Sequence, residues 1–135
     1  MVEINITYDG SLRCRAIHEP SHSSLTTDAP RDNEGLGESF SPTDLVATAL
    51  GTCMVTIMGI YAKRHDLDLE GTRVLVVKHM NTNPRRIGEL PVTIDIPRSF
   101  DARHREAFKL AADSCPVHAS LHPDIKSPVT INFAS

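Results

Sequence analysis

Three cysteines, Cys14, Cys53 and Cys115, are the residues most able to do covalent chemistry in this chain, and each has a different local setting. Cys53 falls inside an uncharged stretch, Leu45 to Ala62, about three turns beyond a helix start at Ser41. The helix dipole fades within the first turn, so a nucleophilic Cys53 needs a cation from another segment. As a core residue it needs none, since free cysteine is among the most buried residue types. Cys115 stands in Ser114-Cys115-Pro116. The residue before a proline leaves helical geometry and the proline can open a new turn, so Cys115 is expected at an N-cap, where free N–H groups favour a thiolate. Cys14 has Arg13 and Arg15 as neighbours, but strand alternation sends those side chains to the opposite face. It is read as a residue that fills space.

The candidate cations for Cys53 are Arg13, Arg15 and Arg31. Arg31 is the first choice because it stands in a Pro- and Gly-rich loop, where functional side chains concentrate. Asp44 could hold such an arginine, or simply cap its own helix. Cys115-Pro116-Val117-His118 has C-x-x-H spacing, so a metal site from Cys53, Cys115 and His118 is a further reading. The other histidines show no ligand spacing, and no cofactor is expected.

These residues must be positioned by a small set of elements. Val2 to Tyr8 alternates apolar and polar residues, turns at Asp9-Gly10, and continues as Leu12 to Ile17, the pattern of a hairpin; Ser24 to Asp28 adds a third strand. Ala29 to Phe40 carries Pro30, Asp32, Asn33, Gly35 and Gly37 and reads as a loop. Ser41-Pro42-Thr43-Asp44 then reads as a capped helix start, with Ser41 as N-cap, Pro42 at N1 and Asp44 at N3. The helix ends at Lys63-Arg64-His65, basic residues suited to a C-terminus. Gly71 to Met80 and Ile87 to Ile96 form a second hairpin around a turn at Asn81 to Pro84. Ser99-Phe100-Asp101 opens a second helix, which breaks at Cys115, and Val129 to Phe133 is a terminal strand.

The order is β-β-β-α-β-β-α-β, which predicts an α+β fold with antiparallel pairing in one domain spanning residues 1–135. A chain of 135 residues buries a core without staples. A net charge of −3, basic runs no longer than two and the absence of tryptophan argue against a nucleic-acid platform or an anionic-membrane binder. A bilayer span needs about 20 predominantly apolar residues; this stretch includes Thr48, Thr52, Thr56, Gly51 and Gly59, so a membrane reading is rejected. A helix apolar nearly all round is one buried on every side, and a domain of this size needs a second subunit to cover it. An odd cysteine count without C-x-x-C and the lack of a basic-then-apolar leader point to a reducing, cytoplasmic setting.

Ser41-Pro42-Thr43-Asp44-Leu45 leading into Ala49-Leu50-Gly51-Thr52-Cys53, with a distant Cys115-Pro116-Val117 before a terminal strand, resembles the OsmC/Ohr family over nearly the whole chain. The resemblance implies an OsmC-like fold: antiparallel sheets around a long buried central helix, in an intertwined homodimer. It implies a thiol-dependent peroxidase that reduces organic hydroperoxides, with Cys53 as peroxidatic and Cys115 as resolving cysteine. Arg31 or Arg13 matches the activating arginine. Hydroperoxidases of the family carry a glutamate directly after the proline of the helix start; here that position is Thr43 and the acid follows as Asp44, a pattern closer to an OsmC-like branch.

Three outcomes are expected to compete. In the first, Cys53 thiolate attacks a peroxide, Cys115 closes a disulfide on the sulfenic acid, and a dithiol reductant resets the pair. In the second, a dimer with structural cysteines binds an apolar small ligand without catalysis. In the third, the two cysteines and His118 hold a metal.

Overall fold

The computed structural model describes all of residues 1–135 and divides into two compact units, residues 1–46 and 47–135. The first unit is an antiparallel meander of β1 (Ile4–Gly10), β2 (Arg13–His18) and β3 (Ser23–Asp28), in the order β1-β2-β3. The turn between β1 and β2 places Gly10, Ser11 and Leu12 all at positive φ. Register sets Ile4, Ile6 and Tyr8 on one face with Cys14, Ala16 and Leu25, because Tyr8 pairs with Cys14, Ile6 with Ala16 and Ala16 with Leu25. Arg13 and Asp28 are direct partners on the opposite face.

Residues 29–40 form the expected loop, with one 3-10 turn at Arg31–Asn33. Asp28 fastens it at the far end: its N–H donates to the Phe40 carbonyl at 3.1 Å, and its Oδ2 accepts the Glu38 N–H at 3.0 Å. A Cβ on Gly35 would collide with the Ala29 carbonyl, so the close approach of these backbones requires glycine there.

Helix α1 (Pro42–Arg64) starts as its sequence dictates. Ser41 Oγ accepts the Asp44 N–H at 3.1 Å and Asp44 Oδ2 accepts the Ser41 N–H at 2.9 Å, a reciprocal capping box. By length and apolar composition α1 could cross a bilayer. Here one stripe, Ala47, Leu50, Gly51, Met54, Met58 and Ala62, enters the core, while Thr48, Thr52, Thr56 and Ile60 are exposed. Within the single chain the core covers one face of α1 only, as expected of a domain too small to surround the helix alone.

The second unit adds β4 (Arg73–Val76), β5 (His79–Asn81), β6 (Arg86–Glu89), β7 (Val92–Ile96), α2 (Ala102–Asp113), α3 (Pro116–Ser120) and β8 (Val129–Phe133). Gly51 lets α1 lie against β4: a Cβ there would sit 2.7 Å from Val76 Cγ2 and 3.2 Å from Val74 Cγ1. The expected second hairpin is divided. β4 pairs with β7, and β5 with β6, in separate sheets. Pro91, which has no N–H to give a ladder, stands at the break. Expected antiparallel pairing also fails at one place, since β8 runs parallel to β7. The two helices between them carry the chain back to the end where β7 began, and such a crossover yields a parallel neighbour.

α2 opens at Asp101, within the expected Ser99-Phe100-Asp101; its side chain accepts the His104 N–H at 3.0 Å, which holds the carboxyl below its ordinary value of 3.8. Phe108 anchors the helix in the core with Leu50, Met54, Leu90, Val92 and Ile94. Tyr61 of α1 meets α2 through its hydroxyl, 2.8 Å from His104 Nδ1, and through an edge contact to Phe108 at 5.4 Å.

Candidate thiol site

Cys53 lies on α1, two residues past the glycine contact with β4, and is half-buried. Cys115 is the N-cap of α3, as its Ser-Cys-Pro setting predicted, and is 0% exposed. Its Sγ accepts the His118 N–H at 3.4 Å, and Pro116 occupies the first helical turn. The fold brings the two thiols together across 62 positions of chain: Cys53 is the side-chain partner of Cys115. Burial pushes the Cys115 thiol above its ordinary value of 9.0, the interaction with Cys53 pushes in the same direction, and the backbone N–H groups of His118 and Val117 oppose them. Both cysteines are free thiols, as is Cys14 on β2.

The other candidates fall into two groups. Arg13 is held on one nitrogen by two carboxylates, with Nη2 at 2.7 Å from Glu38 Oε2 and 3.5 Å from Asp28 Oδ2. The hydrogen bond to Glu38 and the nearby Asp28 charge raise the Arg13 pKa further above its ordinary value. Asp28 is buried and its Oδ1 has no hydrogen-bond partner. Arg31 is exposed and donates from Nε to the Leu36 carbonyl at 3.1 Å, a bond internal to its loop. Arg15 faces Asp9 at 3.9 Å on the surface. Asp44 performs the capping its position predicted. No three His, Cys, Asp or Glu side chains gather in a geometry that could hold a metal ion, and His118 is exposed.

Asp28 and Glu38 were not singled out from the sequence. The strand alternation of β2 and β3 carried a signal for Asp28, since opposed Arg and Asp on one face form a cross-strand pair. Nothing local marks Glu38, which reaches Arg13 only because the loop folds back.

A reachable thiol beside a sealed one, on a helix laid across a mixed sheet, defines an α+β dithiol domain. Residues 35–130 match the OsmC-like protein family, and the chain belongs to that family. The chain is similar to a crystal structure from Psychrobacter arcticus 273-4 described as an osmotic stress induced and detoxification response protein. The two share 45% identity, with 98% of this chain and 96% of that one covered and a TM-score of 0.94. An OsmC like protein from Mycoplasma pneumoniae is 17% identical, covers 100% of this chain and 98% of its own, and gives a TM-score of 0.83. An organic hydroperoxide resistance protein OsmC from Legionella pneumophila is 15% identical over 98% of this chain and 97% of that chain, with a TM-score of 0.73. A comparison with curated proteins finds no match.

Proposed function

We propose that this protein is a cytoplasmic, homodimeric thiol peroxidase that reduces organic hydroperoxides and is reset by a dithiol reductant. The observation that carries the reading is the asymmetric thiol pair: a half-buried Cys53 in contact with a fully buried Cys115, on the fold of a family whose neighbours include a hydroperoxide resistance protein. A peroxidatic thiol must meet substrate, whereas a resolving thiol must meet only its neighbour.

The chemistry runs in two steps. Cys53 thiolate attacks the terminal oxygen of ROOH, the O–O bond breaks, and the products are Cys53 sulfenic acid and RO⁻, which takes a proton to become ROH. Cys115 sulfur then forms the S–S bond to Cys53 and the hydroxyl departs as water, carrying the Cys115 proton. Two electrons pass from the thiol pair to the peroxide. Met54 and Met58 lie fully in the core, so the apolar lining for an organic substituent is assigned to half-exposed residues such as Ile57 of the same helix.

One equivalent of cumene hydroperoxide should convert Cys53 and Cys115 into an intrachain disulfide and leave Cys14 free, as read by peptide mapping without reductant. Cys53→Ser should abolish peroxide consumption. A wild-type protein whose Cys53 stays unmodified by the peroxide would overturn the reading in favour of a binding module with structural cysteines.

A further inference from the structure

The two sulfurs of a Cys53–Cys115 disulfide are not equivalent targets. Thiol–disulfide exchange requires the attacking thiolate to approach one sulfur along the S–S axis, and its rate depends on which sulfur is reached and on how readily the other leaves. These two requirements oppose each other here. The more acidic thiol is the better leaving group, and burial together with Cys53 makes Cys115 the weaker acid than an ordinary cysteine, which would favour attack on the Cys115 sulfur. Access favours Cys53. Cys115 is 0% exposed, capped by the backbone of α3 through the His118 N–H at 3.4 Å, while Cys53 sits half-buried on the flank of α1. A poorer leaving group slows a reaction; a sulfur that no thiolate can reach does not react. Access therefore decides.

Resting on the disulfide cycle proposed above, we propose that the reductant attacks the oxidised protein at Cys53 Sγ, and that Cys115 is the leaving sulfur in every turnover. The first exchange forms an S–S bond between the reductant and Cys53 and breaks the Cys53–Cys115 bond, releasing Cys115 as a thiolate that then takes a proton. The N–H groups of His118 and Val117 point at that sulfur and support its charge as it departs. The second thiol of the reductant then attacks its own sulfur in the mixed disulfide and expels Cys53 as the thiolate. The reductant leaves as its cyclic or paired disulfide, two electrons poorer. Cys53 thus accepts the peroxide oxygen in one half of the cycle and the reductant sulfur in the other.

The test does not need peroxide. Diamide-oxidised wild-type protein is mixed with 2-mercaptoethanol at pH 7, quenched with acid within seconds, unfolded, labelled with N-ethylmaleimide and mapped. The adduct is expected on Cys53 and the maleimide on Cys115; an adduct on Cys115 overturns the proposal. In parallel, Cys115→Ser and Cys53→Ser proteins are each converted, while unfolded in urea, to the 2-mercaptoethanol mixed disulfide on the remaining member of the pair, refolded, and reduced with dithiothreitol. Reduction at Cys53 should be at least tenfold faster than at Cys115, and a smaller ratio overturns the proposal. If diamide closes no Cys53–Cys115 disulfide, the cycle above fails, while the single-cysteine ratio still decides which sulfur a thiol can reach.

Discussion

At the scale of single residues, the two cysteines are divided by access and the arginines by what already occupies them. Arg13 is shared between Glu38 and Asp28, so its positive charge is offset twice before it meets any thiolate. Arg31 spends one N–H on the neutral Leu36 carbonyl. A cation not already answered by carboxylates stabilises a thiolate more, because the field at the sulfur is the sum of all neighbouring charges. On the sequence expectation that Arg31 serves Cys53, Arg31→Ala should slow alkylation of Cys53 by iodoacetamide at pH 7 at least tenfold, about 1.4 kcal/mol of lost thiolate stabilisation. A deficit in Arg13→Ala with none in Arg31→Ala would transfer the role to Arg13.

At the scale of elements, α1 contains two glycines whose surroundings differ, and the difference makes a measurable pair. Gly51 lies against β4, where a Cβ would press on Val76 and Val74. Overpacking of this kind costs about 1–3 kcal/mol, against about 1 kcal/mol gained from helix propensity. Gly59 has no atom within 4 Å of a Cβ placed on it. In a lone chain, Gly59→Ala would stabilise by about 1 kcal/mol. In the proposed dimer a second copy covers this face of α1, and the substitution is expected instead to lower stability and weaken self-association. Urea unfolding at two protein concentrations separates these cases: Gly51→Ala should be destabilised at both, and Gly59→Ala by more at the higher one, where wild type gains most from association.

At the scale of the whole molecule, large apolar side chains stand exposed along faces of regular elements, where a monomer ordinarily exposes them singly. Ile4, Ile6 and Tyr8 on one face of β1 are 59%, 67% and 63% exposed, and Leu25 on β3 and Ile60 on α1 are exposed as well. These residues belong to regular elements, so their exposure is a property of faces and not of frayed ends. Sedimentation at micromolar concentration is expected to show a dimer, and Ile6→Glu, placed at the centre of the β1 stripe, should shift the population toward monomer. A wild-type protein sedimenting as a monomer would contradict the dimer and leave the β1 stripe without a partner.

The sequence by itself determined what local rules reach. The capping box at Ser41 and Asp44, the N-cap at Cys115, the three N-terminal strands and the terminal strand follow from spacings of a few residues, over which side chains meet their own backbone whatever the rest of the chain does. The tertiary structure alone decided what depends on chain return. Pairing partners are chosen by burial across the whole unit, which is why one expected hairpin became two sheets at Pro91 and why β8 joined β7 in parallel after the α2 and α3 crossover. Glu38 reached Arg13 by the same means, through a loop fastened at a buried Asp28. The meeting of Cys53 with Cys115 is the largest such decision, because a contact over 62 positions has no signature in either residue's neighbours and exists only once α1, β4 and α3 have settled around one core.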